Sequence, residues 1–238
     1  LMLSQIRKCD LSFVLSDYMK HNLLMNKWHA SKIVKLIPNA TLQEDNTTVN
    51  NEIPIVLYVG QLIRGKGIDL AIKALSRVSE PFKFVVLGRG NDENYLKELS
   101  AQLLPGKAEF LGWAADVNQI YAGADIVVVP SRWQEPFGLV GLEAFSKAKP
   151  VVAFDIGGIS EWLKHKVNGL LVYPGDSGKL AMAISSLLKN PELRQRYGKA
   201  GLELCKQHFN QLAYTNSLLQ PLQKLIKPTI TFPGGSSQ

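Results

Sequence analysis

Asp125-Ile126-Val127-Val128-Val129-Pro130-Ser131-Arg132-Trp133-Gln134-Glu135-Pro136-Phe137-Gly138-Leu139-Val140-Gly141-Leu142-Glu143-Ala144-Phe145-Ser146 joins three kinds of sequence in one run. Ile126–Val129 is short, apolar and β-branched, the pattern of a strand buried on both faces. Ser131 to Gln134 is a polar turn. Pro136 suits a helix's first turn, where a missing N–H costs nothing. Leu139, Val140, Leu142, Ala144 and Phe145 then predict a mostly apolar helix. Its opening amides, those of Phe137, Gly138 and Leu139, are expected to be available to an anion or to sugar hydroxyls. Glu135 stands at the strand-to-helix mouth. Glu143 is placed in an otherwise apolar helix face, where an unpaired carboxylate would be costly. The two carboxylates are separated by roughly 12 Å of helical rise. That is too far to act as one acid/base pair on a single atom, and suited to gripping two parts of an extended ligand.

Outward from this stretch the chain alternates regularly. Upstream, Ile55–Gly60 predicts a buried strand and Ile68 to Val78 a helix. Strand Phe82–Leu87, helix Glu93–Leu103, a short strand Glu109–Leu111 and a helix from Val117 to Ala122 follow. Downstream come strand Val151–Phe154, a short helix Ile159–His165, strand Gly169–Val172, and helices Asp176–Leu188 and Glu192–His208. A last helix runs to about Ile226. Strands alternating with helices imply an α/β fold, a doubly wound parallel sheet of Rossmann-like type, with ligands at the carboxyl ends of its strands.

The flanks differ from this core. In residues 1–38, Leu11–Ser16 reads as a strand, Asp17 to Trp28 as a helix N-capped by Ser16, and Ile33–Ile37 as a second strand. Two strands and one helix cannot bury both faces of a sheet, so this piece reads as the end of a preceding lobe. Residues 39–52 are polar and read as an interdomain linker, 53–207 as the main lobe, 208–227 as a terminal helix and 228–238 as a disordered tail.

The chain has 238 residues, 46% of them hydrophobic, with a net charge of +7 and a pI near 9.3. Its apolar runs are strand-sized, too short to span a membrane, and no secretory leader is visible in residues 1–30. Cys9 and Cys205 are too few and too distant for a disulfide framework, and read as buried or idle thiols in a reducing cytoplasm. The positive charge fits an anionic membrane surface or a phosphorylated ligand. Nucleic acid is the weakest reading, because Lys and Arg are scattered and do not interleave with aromatics.

Other motifs fall at predicted strand ends. Gly60-Gln61-Leu62-Ile63-Arg64-Gly65-Lys66-Gly67 links a strand to a helix. Its glycines allow close backbone approach to a phosphate, and Arg64 and Lys66 supply compensating charge. It is neither a Walker loop nor GxGxxG. Gly88-Arg89-Gly90-Asn91-Asp92 reads equally as a plain turn. Leu111-Gly112-Trp113 with Asp116 is weaker, with Trp113 expected in the core. Asp155-Ile156-Gly157-Gly158-Ile159-Ser160-Glu161 is divided between closing the site and merely turning the chain. His21, His29, His165 and His208 show no metal spacing, so no metal is expected.

Glu135-Pro136-Phe137-Gly138-Leu139-Val140-Gly141-Leu142-Glu143-Ala144 resembles the Glu-x7-Glu signature of the retaining GT-B glycosyltransferases of family 4, the glycosyl transferases group 1. The likeness extends through most of residues 9–210. Leu15-Ser16, Ile37-Pro38-Asn39, Tyr58-Val59-Gly60, Lys66-Gly67, Phe110-Leu111-Gly112, Pro130-Ser131, Pro150–Ala153, Gly157-Gly158 to Glu161 and Asn168–Val172 support it. The resemblance implies that Glu143 bonds the ribose of a nucleotide-diphosphate sugar and Glu135 the hydroxyls of the transferred sugar. Phe137, Gly138 and Leu139 amides would meet sugar and diphosphate, and Lys66 would neutralise the leaving group. Gly60, Gln61, Gly88 and Asp116 complete the implied donor-binding set. Gln61 stands where the family usually has Arg, and Arg64 is the replacement cation. The family also carries an N-terminal lobe of roughly 150–200 residues, a normal domain size, of which only residues 1–38 match the end. It holds the acceptor site, and the last helix packs back on it.

The expected function is thus sugar transfer from a nucleotide-diphosphate sugar to a glycan or lipid-linked acceptor, with retained configuration and no cofactor. Its expected place is the cytoplasm, with peripheral contact at the inner face of the membrane. A non-catalytic nucleotide-sugar-binding module is the alternative. A dinucleotide oxidoreductase is disfavoured by the absence of GxGxxG after the first strand of the main lobe.

Overall fold

A computed structural model describes residues 8–42 and 51–225. The predicted tail, most of the predicted linker and the end of the last helix lie outside the described residues. The N-terminal segment is as expected: strand β1 (Ser12–Val14), helix α1 (Asp17–Met25) and strand β2 (Ile33–Lys35), with β1 and β2 parallel. Ser16 caps α1, its hydroxyl accepting from the Met19 amide at 3.0 Å.

The main lobe follows as β3 (Ile55–Val59), α2 (Ile68–Leu75), β4 (Lys83–Leu87), α3 (Glu93–Leu103), β5 (Ala108–Gly112), α4 (Asn118–Gly123), β6 (Ile126–Val129) and α5 (Leu139–Ser146). It continues with β7 (Val151–Phe154), β8 (Gly169–Val172), α6 (Ser177–Leu188), α7 (Pro191–His208) and α8 (Gln211–Leu225). β3 to β8 form one sheet of order β5-β4-β3-β6-β7-β8, parallel throughout. The chain winds outward from β3 in one direction and from β6 in the other. The switch point between β3 and β6 is therefore where a crevice opens at the carboxyl edge.

Strand alternation divides the core into two layers. Val56, Phe84, Val86, Val128 and Val152 pack under α2, α3 and α6 through Ile72, Leu75, Leu96 and Ile184. Leu57, Val85, Val127, Val129 and Ala153 pack on the other face against Tyr121, Leu142, Phe145, Trp162 and Cys205. Burial pushes the Cys205 thiol up to about 12, so it behaves as a small apolar side chain.

Local expectations are corrected at four places. Pro136 is not in a helix: α5 starts at Leu139 behind Gly138, whose φ of +86° a Cβ would strain. The segment after Gly158 is only a 3-10 turn, Ile159–Glu161. Asn168 ends it, accepting from the Lys164 amide (2.7 Å) and donating to the Trp162 carbonyl (2.9 Å). Trp113 is not a core residue; it is 70% exposed just past β5, because the edge strand offers no layer above it. Glu143 is exposed, off the buried face of α5 formed by Leu142, Phe145 and Ser146.

The N-terminal unit is tied to the main lobe by charge. Lys35 Nζ lies 2.5 Å from Glu161 and 2.6 Å from Asp17, and Glu161 also accepts from the Tyr18 amide. Burial acts to lower the Lys35 pKa, but the hydrogen bonds and charges of Asp17 and Glu161 outweigh it and raise the value above normal. A raised pKa means the contribution is complete below about 10.4, the ordinary Lys value, and is lost as pH rises through the folded value. Lys35→Met is thus expected to cost at most about 1 kcal/mol at neutral pH. Its thermal midpoint should converge with that of wild type only at strongly alkaline pH. A difference unchanged at alkaline pH would show that the aliphatic stem, and not the charge, does the tying.

Candidate active site

Two loops build the crevice at the switch point. The β3–α2 loop presents Gly60 and Lys66, and the β6–α5 loop presents Ser131, Glu135 and the start of α5. A cavity of about 290 Å³ lies between them, lined by Tyr58, Gly60, Lys66, Ser131, Glu135, Phe137, Gly138, Leu139 and Glu143, among others. Among the described residues, Lys66 is the one cation on its wall.

Glu135 is 7% exposed and its Oε1 is doubly held. Lys66 Nζ donates from 2.6 Å, and the Ser131 hydroxyl makes a very short hydrogen bond to the same oxygen. Oε2 takes no bond among the described residues, so the carboxylate is oriented with one acceptor to spare. Tyr58 supports the same corner, its hydroxyl donating to the Gln61 carbonyl at 2.9 Å. Burial, reinforced by the Glu135 charge, raises the Tyr58 pKa well above the ordinary phenol range, so it remains a donor at neutral pH.

At the opening of α5 the amides of Phe137, Gly138 and Leu139 make no hydrogen bond among the described residues. Trp162, fully buried, holds this backbone from below: its Nε1–H donates to the Phe137 carbonyl at 2.6 Å. Gly141 lies flat on the same indole, where an added Cβ would sit 1.9 Å from the ring. The Gly157-Gly158 turn supports Glu135 itself. The Gly158 amide donates to the Glu135 carbonyl at 2.8 Å, and a Cβ at Gly157 would meet that carbonyl at 2.2 Å.

Glu143 lines the first cavity and also a second one of about 230 Å³, whose walls include Asn39, Thr41, Asn118, Tyr121, Leu139 and Ser146. The buried Tyr121 hydroxyl donates to Glu143 Oε2 at 2.6 Å. Burial first, and then the Glu143 charge and hydrogen bond, push the Tyr121 pKa far above the ordinary phenol range. Two cavities with an oriented carboxylate between them suit a ligand of two parts.

Glu135, Lys66, Gly60, Phe137, Gly138, Leu139 and Glu143 are therefore brought together. Four expected members are not on the first cavity's wall. Gln61 is exposed, and only its carbonyl is used. Arg64 is exposed and lines a separate groove with Asp69, Lys73, Tyr95 and Arg132. Gly88 packs on Gly60, where a Cβ would lie 1.9 Å from the Gly60 carbonyl oxygen, a role in loop packing. Asp116 accepts from the Asn118 backbone amide at 2.9 Å and from its side-chain amide at 3.0 Å, a local bond just ahead of α4. Ser131, Tyr58, Tyr121 and Trp162 received no role from sequence. Ser131 and Tyr58 lay inside recognisable motifs, whereas Tyr121 and Trp162 carried no signal beyond apolar patterning. Among the described residues, no group of three or more His, Cys, Asp or Glu side chains could hold a metal ion.

The sheet order and the strand-end site define a Rossmann-like lobe of GT-B architecture. Residues 40–204 match the family model of the glycosyl transferases group 1, and the chain belongs to that family. An uncharacterized glycosyltransferase of Methanocaldococcus jannaschii is 37% identical over 152 residues, which is 62% of this chain and 39% of that protein. The lipopolysaccharide core biosynthesis glycosyltransferase LpsE of Rhizobium meliloti is 31% identical over 170 residues, 71% of this chain and 49% of that protein. The chain thus spans half or less of the length of these relatives. Among solved structures, Anabaena HepE in complex with UDP and glucose superposes with a TM-score of 0.81 at 24% identity, covering 91% of this chain and 64% of that one. Sucrose-phosphate synthase of Thermosynechococcus elongatus gives 0.79 at 27% identity, covering 92% and 59%.

Proposed function

We propose that this chain binds a nucleotide-diphosphate sugar and takes part in transferring the sugar to an acceptor hydroxyl with retention of configuration. One observation carries the reading: Glu143 stands between two cavities, with the Glu135–Lys66 pair and the α5 amides in one of them. The nucleoside occupies the cavity beside Tyr121, its ribose bonded by Glu143, and the diphosphate and sugar fill the cavity beside Glu135. A protein of the same fold, Anabaena HepE, has been solved with UDP and glucose.

In the reaction the bond between the anomeric carbon and the diphosphate oxygen breaks, and its electron pair leaves with the nucleoside diphosphate. The acceptor oxygen bonds the same face of that carbon, and its proton passes to the leaving phosphate oxygen. Lys66 keeps two further N–H protons beyond the one given to Glu135, and these offset the charge developing on the diphosphate together with the α5 amides. Glu135 Oε2 accepts from sugar hydroxyls and orients the ring. No cofactor is needed by this chemistry.

The acceptor is a glycan or lipid-linked acceptor, held by a further lobe that packs on β1–β2 and α8 across the crevice. The net charge of +7 supports peripheral contact with anionic lipid at the inner face of a membrane. No helix among the described residues is long and apolar enough to cross one.

Calorimetric titration of the full-length protein with UDP, GDP and their sugars tests the proposal. Binding should weaken about 10- to 100-fold in Glu143→Ala, the scale of a lost charged hydrogen bond. Tyr121→Phe frees the carboxylate without removing it, and should weaken binding by roughly a factor of five. A folded wild type that binds none of these ligands, or Glu143→Ala with unchanged affinity, would overturn the assignment.

A further inference from the structure

We infer that Asp69 and Arg132, neither of which lines the first cavity, form a positioning clasp that sets Lys66 in register with Glu135. Lys66 and Glu135 belong to loops leaving different strands, and the paired residues between those strands are Val56 with Ile126 and Leu57 with Val127. Both pairs lie well before the loops begin. The distance between ammonium and carboxylate is therefore decided by contacts between the loops.

Those contacts are dense and centre on Arg132. Its Nη1 and Nη2 donate to Asp69 Oδ1 and Oδ2 at 2.5 and 2.7 Å, a two-pronged pair that a planar guanidinium makes and an ammonium cannot. Nη1 also donates to the Arg64 carbonyl at 2.9 Å. The amides of Arg132 and Trp133 both donate to the Gly65 carbonyl, at 2.9 and 3.1 Å. The glycines on either side of Lys66 are pinned in turn. A Cβ at Gly65 would lie 1.9 Å from the Trp133 indole, and one at Gly67 would lie 1.8 Å from the Pro130 carbonyl oxygen.

Asp69 is 8% exposed at the start of α2, so the clasp anchors the β6–α5 loop to a helix packed on the core. Burial works against its carboxylate, but the Arg132 hydrogen bonds and charge outweigh this and hold its pKa below the ordinary value. The pair is thus ionised throughout the neutral range. Small displacements of reacting groups lower rates steeply, which gives a contact outside the cavity its leverage.

The effect on a diphosphate rests on the donor reading above; the effect on Lys66 does not. Asp69→Asn, Arg132→Gln and the double variant are compared with wild type in the full-length protein, well below each melting midpoint, with circular dichroism confirming the fold. Two quantities are read: affinity for UDP and GDP by calorimetry, and the rate of Lys66 acetylation by an acylating reagent, resolved by mass spectrometry against Lys83 as internal reference. Each single variant should raise Lys66 acetylation on the order of fivefold, as expected when a net hydrogen bond to Glu135 is lost. Each should weaken nucleoside diphosphate binding by about the same factor, with the double variant no worse than either single one. Variants that only melt earlier, with unchanged Lys66 reactivity, or single effects that add, would overturn the clasp. If wild type binds neither nucleotide, the donor reading fails, and Lys66 acetylation alone decides the clasp.

Discussion

On the proposed function, Lys66→Ala is expected to lower the turnover of sugar transfer by ~10²–10³-fold, the scale of removing one group that stabilises developing negative charge. Among the described residues, this lysine is the one cation on the wall of the Glu135 cavity. Gln61 contributes its carbonyl to the Tyr58 hydroxyl and Arg64 lines another groove, so among the described residues no second side chain on that wall can take over the charge. Removing Lys66 also leaves Glu135 Oε1 with the Ser131 hydroxyl as its remaining partner. The check is nucleoside diphosphate release by the full-length protein, with turnover and KM resolved. Because the charge grows as the leaving group departs, turnover should fall more than substrate affinity. A variant with wild-type turnover and a raised KM would reduce Lys66 to a uniform binding contact.

Trp162→Ala is expected to cost about 3–5 kcal/mol of stability, the range for truncating a large buried aromatic. In a lobe of this size that lowers the thermal midpoint by on the order of 10 °C. The indole is fully buried, stacks edge-on with Phe145 at 5.4 Å and supplies the flat surface beneath Gly141. Its N–H also satisfies the Phe137 carbonyl, which would be left unpaired. The same cavity should loosen the backbone that presents the Phe137, Gly138 and Leu139 amides. Trp162→Phe refills much of the space without the N–H, so it should recover most of the midpoint and less of the nucleotide affinity. Thermal melts and calorimetry on both variants check this. Equal recovery of the two properties would show that the Trp162 N–H does not help to place the α5 amides.

The supporting residues divide by how they announce themselves. Glu135 and Glu143 were legible because acidic residues stand out around an apolar helix start. Lys66 was legible because it sits among glycines after a strand. Tyr121 and Trp162 were not, since a buried aromatic that fills a core and one that orients a carboxylate or a backbone carbonyl look alike in sequence. Arg132 and Asp69 are an ordinary charged pair in sequence, far apart along the chain, and meet only because β3 and β6 are neighbours in the sheet. Trp113 was misread for a related reason. A tryptophan is usually a core residue, but this one follows β5 at the sheet's edge, where it is exposed.

What the sequence determined by itself is the alternation of strand and helix and the chemistry available at the strand ends. Both are local properties, set by hydrophobic period, glycine and proline placement and charge within a few residues. The stretch from Asp125 to Ser146 thereby predicts a strand, a turn at its carboxyl end and a helix, with one carboxylate ahead of the helix and one within it. Only the tertiary structure decided which oxygen of each carboxylate is held, which cations reach the crevice, and that Glu143 stands between two cavities. Those outcomes depend on strand order and on contacts between loops distant in sequence, where glycines at 65, 67, 141 and 157 let backbone and rings approach within the space a Cβ would need.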